Sequence, residues 1–591
     1  MNEKWIQYAK KADFQSWATV LRVSPLMARL IRNRDVLTLD DARKYLYGTI
    51  DDLADPSCMK GIPEAVEIIR TAVKRGERLA ISTDYDDDGI FSARILLEGI
   101  REIGGTAFIF SPNRTTEGYG INRRIIDGAK EQGCSVLITC DNGISAREEV
   151  LYAREQGFTV IVTDHHEIPY DEDFDGNRSY LLPEAHVVVD PKQPGCPYPF
   201  KELCGAGVAF RLIQALYRAE NVPKDREKEL YEYVGIATVT DVVPLRDENR
   251  ILVKTGLDAL RSTDKVPLRA LMEVCELEPE AISTYSIGFI LGPCFNAISR
   301  LGDISLAFEF LENTDPGRAR LMAEQIRGIN EERKEMTEEG YRKALEYVER
   351  EGIAEDKVLL VYLEDVHESV IGIIAGRIKE RFSRPSLVFT KAADGNVKGS
   401  GRSIPAYNMV EELTRVKDLL LKYGGHKMAA GLALVPENFE LLRKTLNRNC
   451  ALTEEDLWPR VYFDAELSLR YVTPDFIEEL KKIEPSGMGN PKPLFAGAHF
   501  KVLSAKLVGK NKNVVAMNLT DKSGTKMPAV LFGDVGNVTE PLRNEYGLEL
   551  PFYFREEAEA PDLAFTYYPA FNEFRGEKRL QIIAVNSCKI H

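Results

Sequence analysis

The sequence predicts a multidomain α/β protein: a parallel-sheet domain, a long connector helix, a smaller α/β domain and a C-terminal OB-like β-barrel. Three observations support this fold class. From about residue 76, short β-branched runs alternate with helical segments, as in a parallel sheet. Residues 316–352 form one highly charged helical stretch, and residues 455–591 contain short strands separated by turns. A chain of 591 residues is too long for one core, so several domains are expected.

The predicted boundaries follow these changes in pattern. They give an N-terminal helical framing region at 1–75, a first α/β domain at 76–315, the connector at 316–352, a second α/β domain at 353–450 and the barrel at 455–591. We expect the N-terminal region to frame the first strand. The connector is polar all round in its middle, which is typical of a helix that bridges two domains across solvent.

Three apolar runs of the first α/β domain end in residues that can bind metal. The runs are followed by Asp84, Asp86 and Asp88, by Asp141, and by Asp164, His165 and His166. The carboxyl ends of parallel strands meet at one edge of the sheet, so we expect these groups to converge. Carboxylates at a buried strand end need a positive partner, because dehydrating them is costly. Carboxylate oxygens with imidazole suit Mn²⁺ or Mg²⁺ better than zinc.

Each of these motifs, taken alone, also has an interpretation that involves no metal or ligand. A single acidic motif is often a solvated turn, Asp241 by itself would be a helix-end acid, and Arg114 would be a surface arginine. Three such strand ends in one domain favour the metal centre.

The second α/β domain and the barrel carry features that suit nucleic acid. The glycine-rich stretches 399–403 and 424–426 are predicted as loops whose N–H groups approach phosphate, although ordinary turn glycine is the alternative. The barrel offers charges and rings that could bind a single strand: Lys506, Lys510, Lys512, Arg575, Tyr567, Tyr568, Phe571 and Phe574. We expect about half of these rings to lie in the core.

Composition sets limits on location and partners. No apolar run reaches membrane-spanning length, and the N-terminal residues lack a signal peptide's features, so we expect a cytoplasmic protein without membrane contact. The 9 cysteines include no Cys-x-x-Cys pair, which argues against a zinc ribbon. The net charge of −15 weighs against broad DNA affinity but permits a narrow basic channel.

The motifs at residues 84–89, 141–143, 164–166 and 240–245 resemble the four motifs of the DHH phosphoesterases. Residues 424–431 resemble the signature of the associated DHHA1 domain. The order of these motifs and the chain length resemble the RecJ type, the single-strand DNA exonucleases. Three positions depart from that pattern: Asp87, where a small or apolar residue is usual, Cys294, where a basic residue is usual, and Ser299, where glycine is usual.

The resemblance implies a site and an activity. The metal ligands would be Asp84, Asp86, Asp88, Asp141, His165 and Asp241; the catalytic residues would be Asp141, Asp164 and His166. The substrate-binding residues would be Arg114, Asn296, Arg300, Ser400, Arg402, Gly424, Gly425 and His426. With two Mn²⁺ or Mg²⁺ ions, the chain would degrade single-stranded DNA from the 5′ end in repair and recombination. Its implied protein partners are a single-strand-binding protein and a RecQ-type helicase.

Two other functions remain open at this point. A small-substrate DHH phosphodiesterase, acting on short oligonucleotides, cyclic dinucleotides or phosphoadenosine phosphate, would share the metal motifs but needs no remote barrel. A non-catalytic replication or repair scaffold would keep the fold, but its metal motifs would not need to be intact. We therefore expect an exonuclease.

Overall fold

The computed structural model describes residues 3–114, 117–173, 176–574 and 576–589. The chain divides into two compact units. The first unit comprises Leu53–Val243 and Glu248–Pro459, and the second comprises Asn2–Asp52, Pro244–Asp247 and Arg460–His591.

The N-terminal elements of the second unit are short and well capped. They are β1 (Lys4–Gln7), α1 (Phe14–Leu21), α2 (Pro25–Asn33) and α3 (Leu39–Tyr47). Helix α2 begins after Ser24, whose hydroxyl accepts from the Met27 N–H, and α3 begins with a capping box between Thr38 and Asp41.

The first unit opens with a parallel sheet and its helices. Its elements are α4 (Ile62–Lys74), β2 (Arg78–Thr83), α5 (Asp87–Glu102), β3 (Thr106–Phe110), α6 (Arg123–Glu131), β4 (Cys134–Cys140), α7 (Arg147–Glu155), β5 (Thr159–Thr163), the hairpin β6 (Tyr170–Glu172) and β7 (Arg178–Tyr180), and β8 (Val187–Val189). The five strands lie in the order β3-β2-β4-β5-β8, all parallel. Strands β2, β4 and β5 are buried along nearly their whole length, as expected of a sheet covered on both faces.

Helices complete the first part of this unit and lead into the connector. They are α8 (Gly205–Ala219), α9 (Tyr231–Thr240), α10 (Asp247–Arg261), α11 (Val266–Val274), α12 (Thr284–Ser286), a π-helical turn (Ile287–Leu291), α13 (Gly292–Leu301), α14 (Ser305–Glu312) and α15 (Pro316–Arg350). The connector helix α15 packs on α11 and α13 and then on the helix of the next sheet. Asn330 and Thr337, in its polar middle, are buried. The connector therefore does not cross open solvent, contrary to the sequence-based expectation, because its middle packs against neighbouring helices.

The second sheet of this unit is mixed. Its elements are β9 (Leu359–Tyr362), α16 (Glu368–Phe382), β10 (Ser386–Lys391), β11 (Val397–Arg402), α17 (Met409–Thr414), β12 (Lys422–His426), β13 (Ala429–Leu434) and α18 (Phe439–Asn449). The order is β12-β13-β11-β10-β9, with only β9 and β10 parallel. The two glycine-rich stretches predicted as loops are strands β11 and β12. Glycine has a low strand propensity, so the sequence pattern did not indicate strands at these positions.

A barrel dominates the second unit. Its elements are β14 (Arg460–Phe463), β15 (Ala465–Glu466), α19 (Pro474–Leu480), β16 (Phe495–Val508), β17 (Val514–Thr520), β18 (Lys526–Phe532), α20 (Gly536–Tyr546), β19 (Phe552–Tyr553), β20 (Asp562–Phe574) and β21 (Glu577–Lys589). Pairing of β16 with β20 closes the sheet. Tyr567 is fully buried, and Tyr568 is half-buried beneath the Lys492 ammonium. Arg575 and the side chain of Phe574 lie outside the described residues.

The N-terminal helices share the barrel's core. Trp17, Leu21 and Ile31 belong to the same buried cluster as Leu469 and Phe495. Residues 1–75 thus fall into two parts, because the apolar faces of α1–α3 pack on the barrel while α4 joins the parallel sheet. In the described part of the chain, no helix is long and apolar enough to cross a membrane.

Candidate metal centre and nucleotide-binding cavity

The predicted metal ligands lie together at the carboxyl edge of the parallel sheet. Asp84, Asp86 and Asp88 follow β2, Asp141 follows β4, and the residues Asp164 to His166 follow β5. Asp241 joins them from the C-terminal end of α9. Ligand atoms form three overlapping groups, each within 4.8 Å: Asp141, Asp164, His165 and His166; Asp88, His165 and Asp241; and Asp84, Asp86 and Asp141.

His165 lies at the centre of this cluster. Its Nε2 is 3.1 Å from Asp141 Oδ1 and 3.6 Å from Asp88 Oδ2. Its Nδ1 is 3.8 Å from Asp241 Oδ2. Burial and the neighbouring His166 lower the pKa of His165 to about 3, so the imidazole is neutral at physiological pH and has a lone pair for a metal.

Backbone groups of α8 complete the centre, and the sequence did not reveal them. The N–H groups of Gly205 and Ala206 donate to the two oxygens of Asp88, at 2.6 and 2.8 Å. A Cβ at Gly205 would lie 2.7 Å from Asp141 Cβ, so only glycine permits this approach. The start of α8 therefore holds Asp88 in place through main-chain donors, which side-chain identity does not reveal.

The cluster has more negative charge than its surroundings offset. Burial and the charge of Asp86 raise the pKa of Asp88 to about 6. Burial and neighbouring carboxylates also raise the pKa values of Asp84, Asp141 and Asp241 well above their usual range. Asp84 Oδ1 and Asp241 Oδ2 are buried without a hydrogen-bond partner. Oxygen-rich ligands with one central imidazole and unpaired oxygens fit Mn²⁺ or Mg²⁺.

His166 is held differently from His165. Its Nδ1 is 2.7 Å from Asp164 Oδ1, and the Tyr119 hydroxyl lies 3.3 Å from the same nitrogen. Burial lowers the pKa of His166, but the hydrogen bond to Asp164 and the surrounding carboxylates outweigh it, so the net shift is upward. Asp164 in turn accepts from the N–H groups of Ile144 and His165. Asp164 thus orients His166 and favours its protonated form.

A cavity of about 540 Å³ adjoins the cluster at Tyr85, the residue between Asp84 and Asp86. Five predicted substrate-binding residues line it: Arg114, Arg300, Ser400, Arg402 and Gly424. The Arg114 guanidinium lies over the Tyr85 ring, 4.6 Å from its centroid. Arg300 donates to the Ser369 carbonyl at 2.6 Å, and Arg402 donates to Ser400 Oγ at 3.1 Å.

The arginines of this cavity repel one another. Burial, followed by the charges of Arg114, Arg333 and Arg402, lowers the pKa of Arg300 to about 10. Burial and Arg114 also lower the pKa of Arg402. Arg300 Nε is buried without a hydrogen-bond partner. An anion such as a phosphate would relieve this repulsion.

Three predicted substrate-binding residues lie outside the cavity lining. Gly425 and His426 are exposed at the end of β12, and Asn296 is half-buried on α13. Gly425 has φ +139°, and a Cβ there would lie 2.3 Å from the Ala429 carbonyl oxygen, so this glycine is required by the turn into β13.

The three departures from the family pattern are buried. Asp87 lies against Gly292 and the Thr240 side chain, where a Cβ on Gly292 would be 2.8 Å from Asp87 Oδ2. Cys294 accepts from Asn330 Nδ2 of the connector at 3.4 Å, and Ser299 Oγ donates to the Asn296 carbonyl at 3.1 Å. Neither Cys294 nor Ser299 lines the cavity beside Arg300.

Comparison with known proteins identifies the family. The DHH family N-terminal domain matches residues 78–238, the DHHA1 domain matches 355–452 and the RecJ OB domain matches 463–586. Proteins named single-stranded-DNA-specific exonuclease RecJ from Salmonella typhimurium and Escherichia coli are each 34% identical to the chain, over 95% of its length and 95% of their own. The chain belongs to the RecJ family. It also shares 35% identity with RecJ of Bacillus subtilis, over 88% of the chain but only 64% of that longer relative.

Solved structures of the RecJ family agree with the fold and the cofactor. RecJ of Thermus thermophilus in complex with Mn²⁺ has a TM-score of 0.81 and 26% identity, covering 100% of this chain and 80% of its own. The Mg²⁺ complex of the same protein has a TM-score of 0.75. The predictions of the RecJ type, of the fold class and of a Mn²⁺ or Mg²⁺ cofactor are confirmed.

Proposed function

We propose that the chain is a metal-dependent exonuclease that hydrolyses single-stranded DNA from its 5′ end, with two Mn²⁺ or Mg²⁺ ions at the carboxylate cluster. One observation carries the proposal: an acidic cluster suited to cations borders a cavity of arginines suited to phosphate, because Tyr85, between Asp84 and Asp86 in the chain, lines the cavity. A DNA strand whose phosphate enters the cavity would have a neighbouring phosphodiester bond at the metal ligands.

The ligands would be Asp86, Asp88, Asp141, His165 and Asp241, with Asp84 and Asp164 as further ligands or orienting groups. Divalent cations, when bound there, supply Lewis acidity that lowers the pKa of water and offsets charge on the leaving oxygen. The protein's contribution is a prearranged, largely buried set of oxygens. Asp141 has φ +59°, a strained backbone, and its carboxylate contributes to two of the three ligand groups.

His166 would act on the phosphate itself. It is more accessible than His165, with about a third of its side chain exposed, and the hydrogen bond to Asp164 raises its pKa, which favours the protonated form. A protonated imidazole anchored by Asp164 donates through Nε2 to a phosphoryl oxygen or to the departing oxygen. Tyr119, whose hydroxyl donates to the Asp141 carbonyl at 2.7 Å, packs its ring against His166 and limits its rotation.

The arginine cavity would hold the end of the strand. Arg114, Arg300 and Arg402 line one space. In the described chain they contact neutral groups: the Tyr85 ring, the Ser369 carbonyl and Ser400 Oγ, respectively. Their charges therefore remain available for a phosphate. The barrel would bind a further part of a long strand, which a dinucleotide substrate would not need.

We also propose a cytoplasmic location and a role in repair and recombination, because both suit an enzyme that degrades single strands. The same activity suits contacts with a single-strand-binding protein and a RecQ-type helicase. The scattered cysteines, all without a disulfide in the described chain, suit a reducing compartment.

Digestion of end-labelled DNA tests the proposal. Single strands labelled at the 5′ or the 3′ end, a blunt duplex and a dinucleotide would be incubated with Mn²⁺ or Mg²⁺, with Asp141→Asn as the inactive control. We expect immediate release of the 5′ label as a mononucleotide and an intact duplex. Early release of the 3′ label would reverse the polarity, and preference for the dinucleotide would identify a small-substrate phosphodiesterase.

A further inference from the structure

Two cysteines meet where helices α11 and α13 pack on the connector helix α15. Cys275 directly follows α11 and is half-buried, whereas Cys294, in the first turn of α13, is only 1% exposed. The Cys294 thiol donates a hydrogen bond to the Cys275 sulfur. Cys294 stands where the family usually has a basic residue, so the family pattern does not account for this pair.

The connector contacts both cysteine-bearing segments from one face. Asn330 Nδ2 donates to Cys294 Sγ at 3.4 Å. One turn earlier on α15, Arg327 donates to the carbonyl oxygen of Val274, the residue before Cys275. Residues three apart on a helix lie on the same face. These two contacts therefore hold the end of α11 and the start of α13 side by side, which keeps the thiols in contact.

The two thiols differ in reactivity. The hydrogen bond from Cys294 lowers the pKa of Cys275, and burial acts against it. The charges of Arg327 and Lys334 lower this pKa further, with Glu331 opposing them. Donation of the hydrogen bond, together with burial, raises the pKa of Cys294. Because the thiolate is the nucleophilic form of cysteine, Cys275 is the thiol suited to attack an oxidant, and Cys294 is the one suited to attack the product.

A groove of about 470 Å³ reaches the chain beside Cys275. Val274 and Glu276, on either side of Cys275, line this groove, and Arg327 and Glu331 of the connector line it as well. Hydrogen peroxide is small and uncharged, so the mixed charges of the lining do not exclude it. The half-buried thiol is therefore within reach of a peroxide in solution.

We propose that Cys275 and Cys294 form an oxidation site at which a peroxide closes an intramolecular disulfide between α11 and α13. First, the Cys275 thiolate attacks one peroxide oxygen, the O–O bond breaks, hydroxide leaves and Cys275 becomes a sulfenic acid. The Cys294 sulfur then attacks the Cys275 sulfur and displaces hydroxide, which takes the Cys294 proton and leaves as water. Two thiols and one peroxide thus give one disulfide and two waters. Transient disulfides of this kind are typical of reducing compartments.

The disulfide would act on the arginine cavity through α13. A covalent bond holds two sulfurs closer together than a hydrogen bond does, so closing it draws the start of α13 toward α11. Arg300 lies on the same helix, about 9 Å farther along at about 1.5 Å per residue, and lines the cavity. Oxidation should therefore displace Arg300 and weaken strand binding. This consequence, unlike the disulfide itself, rests on the proposed function.

Peptide mapping by mass spectrometry tests the site independently of activity. The folded, reduced protein would be treated with hydrogen peroxide, alkylated and digested. We expect a product in which the peptides of Cys275 and Cys294 are joined with loss of two hydrogen atoms, and we expect dithiothreitol to separate them. In Cys294→Ser, the reaction should stop at a sulfenic acid on Cys275, which dimedone traps. In Cys275→Ser, Cys294 should remain a thiol.

Initial-rate kinetics before and after oxidation test the consequence. In the unaltered protein, KM for single strands should rise by about tenfold on oxidation and return on reduction, since a misplacement of about 1 Å can cost about a hundredfold. Cys275→Ser should show no rise in KM after peroxide. Cys58→Ser removes an exposed cysteine outside the pair and should keep both the disulfide and the rise in KM.

The outcomes are distinct. If the reduced protein does not digest single strands, the proposed function fails, but the mapping still decides the oxidation site. Failure of the joined peptide to form, or cross-linking of Cys275 to other cysteines in its place, would overturn the site. A Cys275–Cys294 disulfide that leaves KM unchanged would overturn its effect on Arg300.

Discussion

The metal centre and the arginine cavity share Tyr85 at their border, but they concentrate opposite charges. In the centre, burial and like charges raise the pKa of Asp88 to about 6. In the cavity, burial and like charges lower the pKa of Arg300 to about 10. In each region the like charges make ionisation of the side chains less favourable. A bound ligand of opposite charge would offset this repulsion. Both regions therefore hold unbalanced charge, which a cation in the centre and a phosphate in the cavity would offset.

Removing the shared carboxylate should have the largest effect. Asp141 contributes to two of the three ligand groups, and asparagine tolerates its left-handed backbone at φ +59°. We expect Asp141→Asn to reduce turnover in saturating Mn²⁺ by at least about a thousandfold, since even substitutions around metal ligands cost about 10–100-fold. An unchanged melting temperature in chelator would show an intact fold. Near-normal turnover of the metal-saturated variant would contradict the assignment of the centre.

The second prediction concerns the stability of the centre without metal. The folded-state pKa of Asp88 is about 6, against an ordinary value of 3.8. Its contribution to stability is therefore complete below the ordinary pKa and is lost as the pH rises through about 6. In chelator, the unaltered protein should lose on the order of 2 kcal/mol of stability between pH 5 and pH 7.5, and Asp88→Asn should lose less, because asparagine has no carboxylate to ionise. Added Mn²⁺ should stabilise the unaltered protein more than Asp88→Asn at pH 7.5. Parallel melting curves at both pH values would argue against repulsion in the centre.

Substitutions in the cavity should weaken substrate binding and leave metal binding unchanged. Arg402→Ala removes a charge that contacts Ser400, and we expect a rise in KM for single strands of about tenfold or more, with Mn²⁺ affinity unchanged. His426→Ala should raise KM less, because His426 is exposed and does not line the cavity. Initial-rate kinetics and calorimetric titration with Mn²⁺ would measure the two effects separately. A large loss of metal affinity in either variant would contradict the assignment of metal binding to the centre and substrate binding to the cavity.

The smallest effect is expected in the barrel, far along the chain from both regions. Lys506, Lys510 and Lys512 are exposed around the turn between β16 and β17. We expect Lys506→Gln/Lys510→Gln/Lys512→Asn to weaken binding of long strands by a few fold and leave very short strands unaffected. The slope of log affinity against log salt should fall by about 2, at about 0.7 per phosphate contact. An unchanged slope would assign these lysines no strand contact.

The acidic cluster was predictable from sequence because most of its members follow a recognisable strand end, whereas Asp241 follows helix α9. Asp84, Asp141 and His165 belong to short motifs whose geometry is set locally. The donors from Gly205 and Ala206 were not predictable, since a backbone N–H leaves no residue signature. Strand β12 was mistaken for a loop because Gly424 and Gly425 have low strand propensity.

Longer-range features were harder to predict. Strand β20 was not recognised, and the sequence did not indicate which of the rings would lie in the core: Tyr567 is buried there, and Tyr568 is half-buried. The association of α1–α3 with the C-terminal part of this unit depends on contacts between segments more than 400 residues apart, such as the hydrogen bond from the Tyr45 hydroxyl to Asn490 Oδ1. No local pattern encodes such a pairing.

The shared core of α1–α3 and the barrel has a consequence for synthesis of the chain. The apolar faces of these helices leave the ribosome early, but Phe495 and Tyr567, which belong to the same core, are made last. At about 5–20 residues per second, the N-terminal helices wait roughly half a minute to two minutes for their partner. During that interval the parallel sheet can complete itself, whereas Trp17, Leu21 and Ile31 stay uncovered and attract chaperones. When translation is slow, or when a truncated message yields a chain without the barrel, the chain should therefore aggregate through its N-terminal segment first.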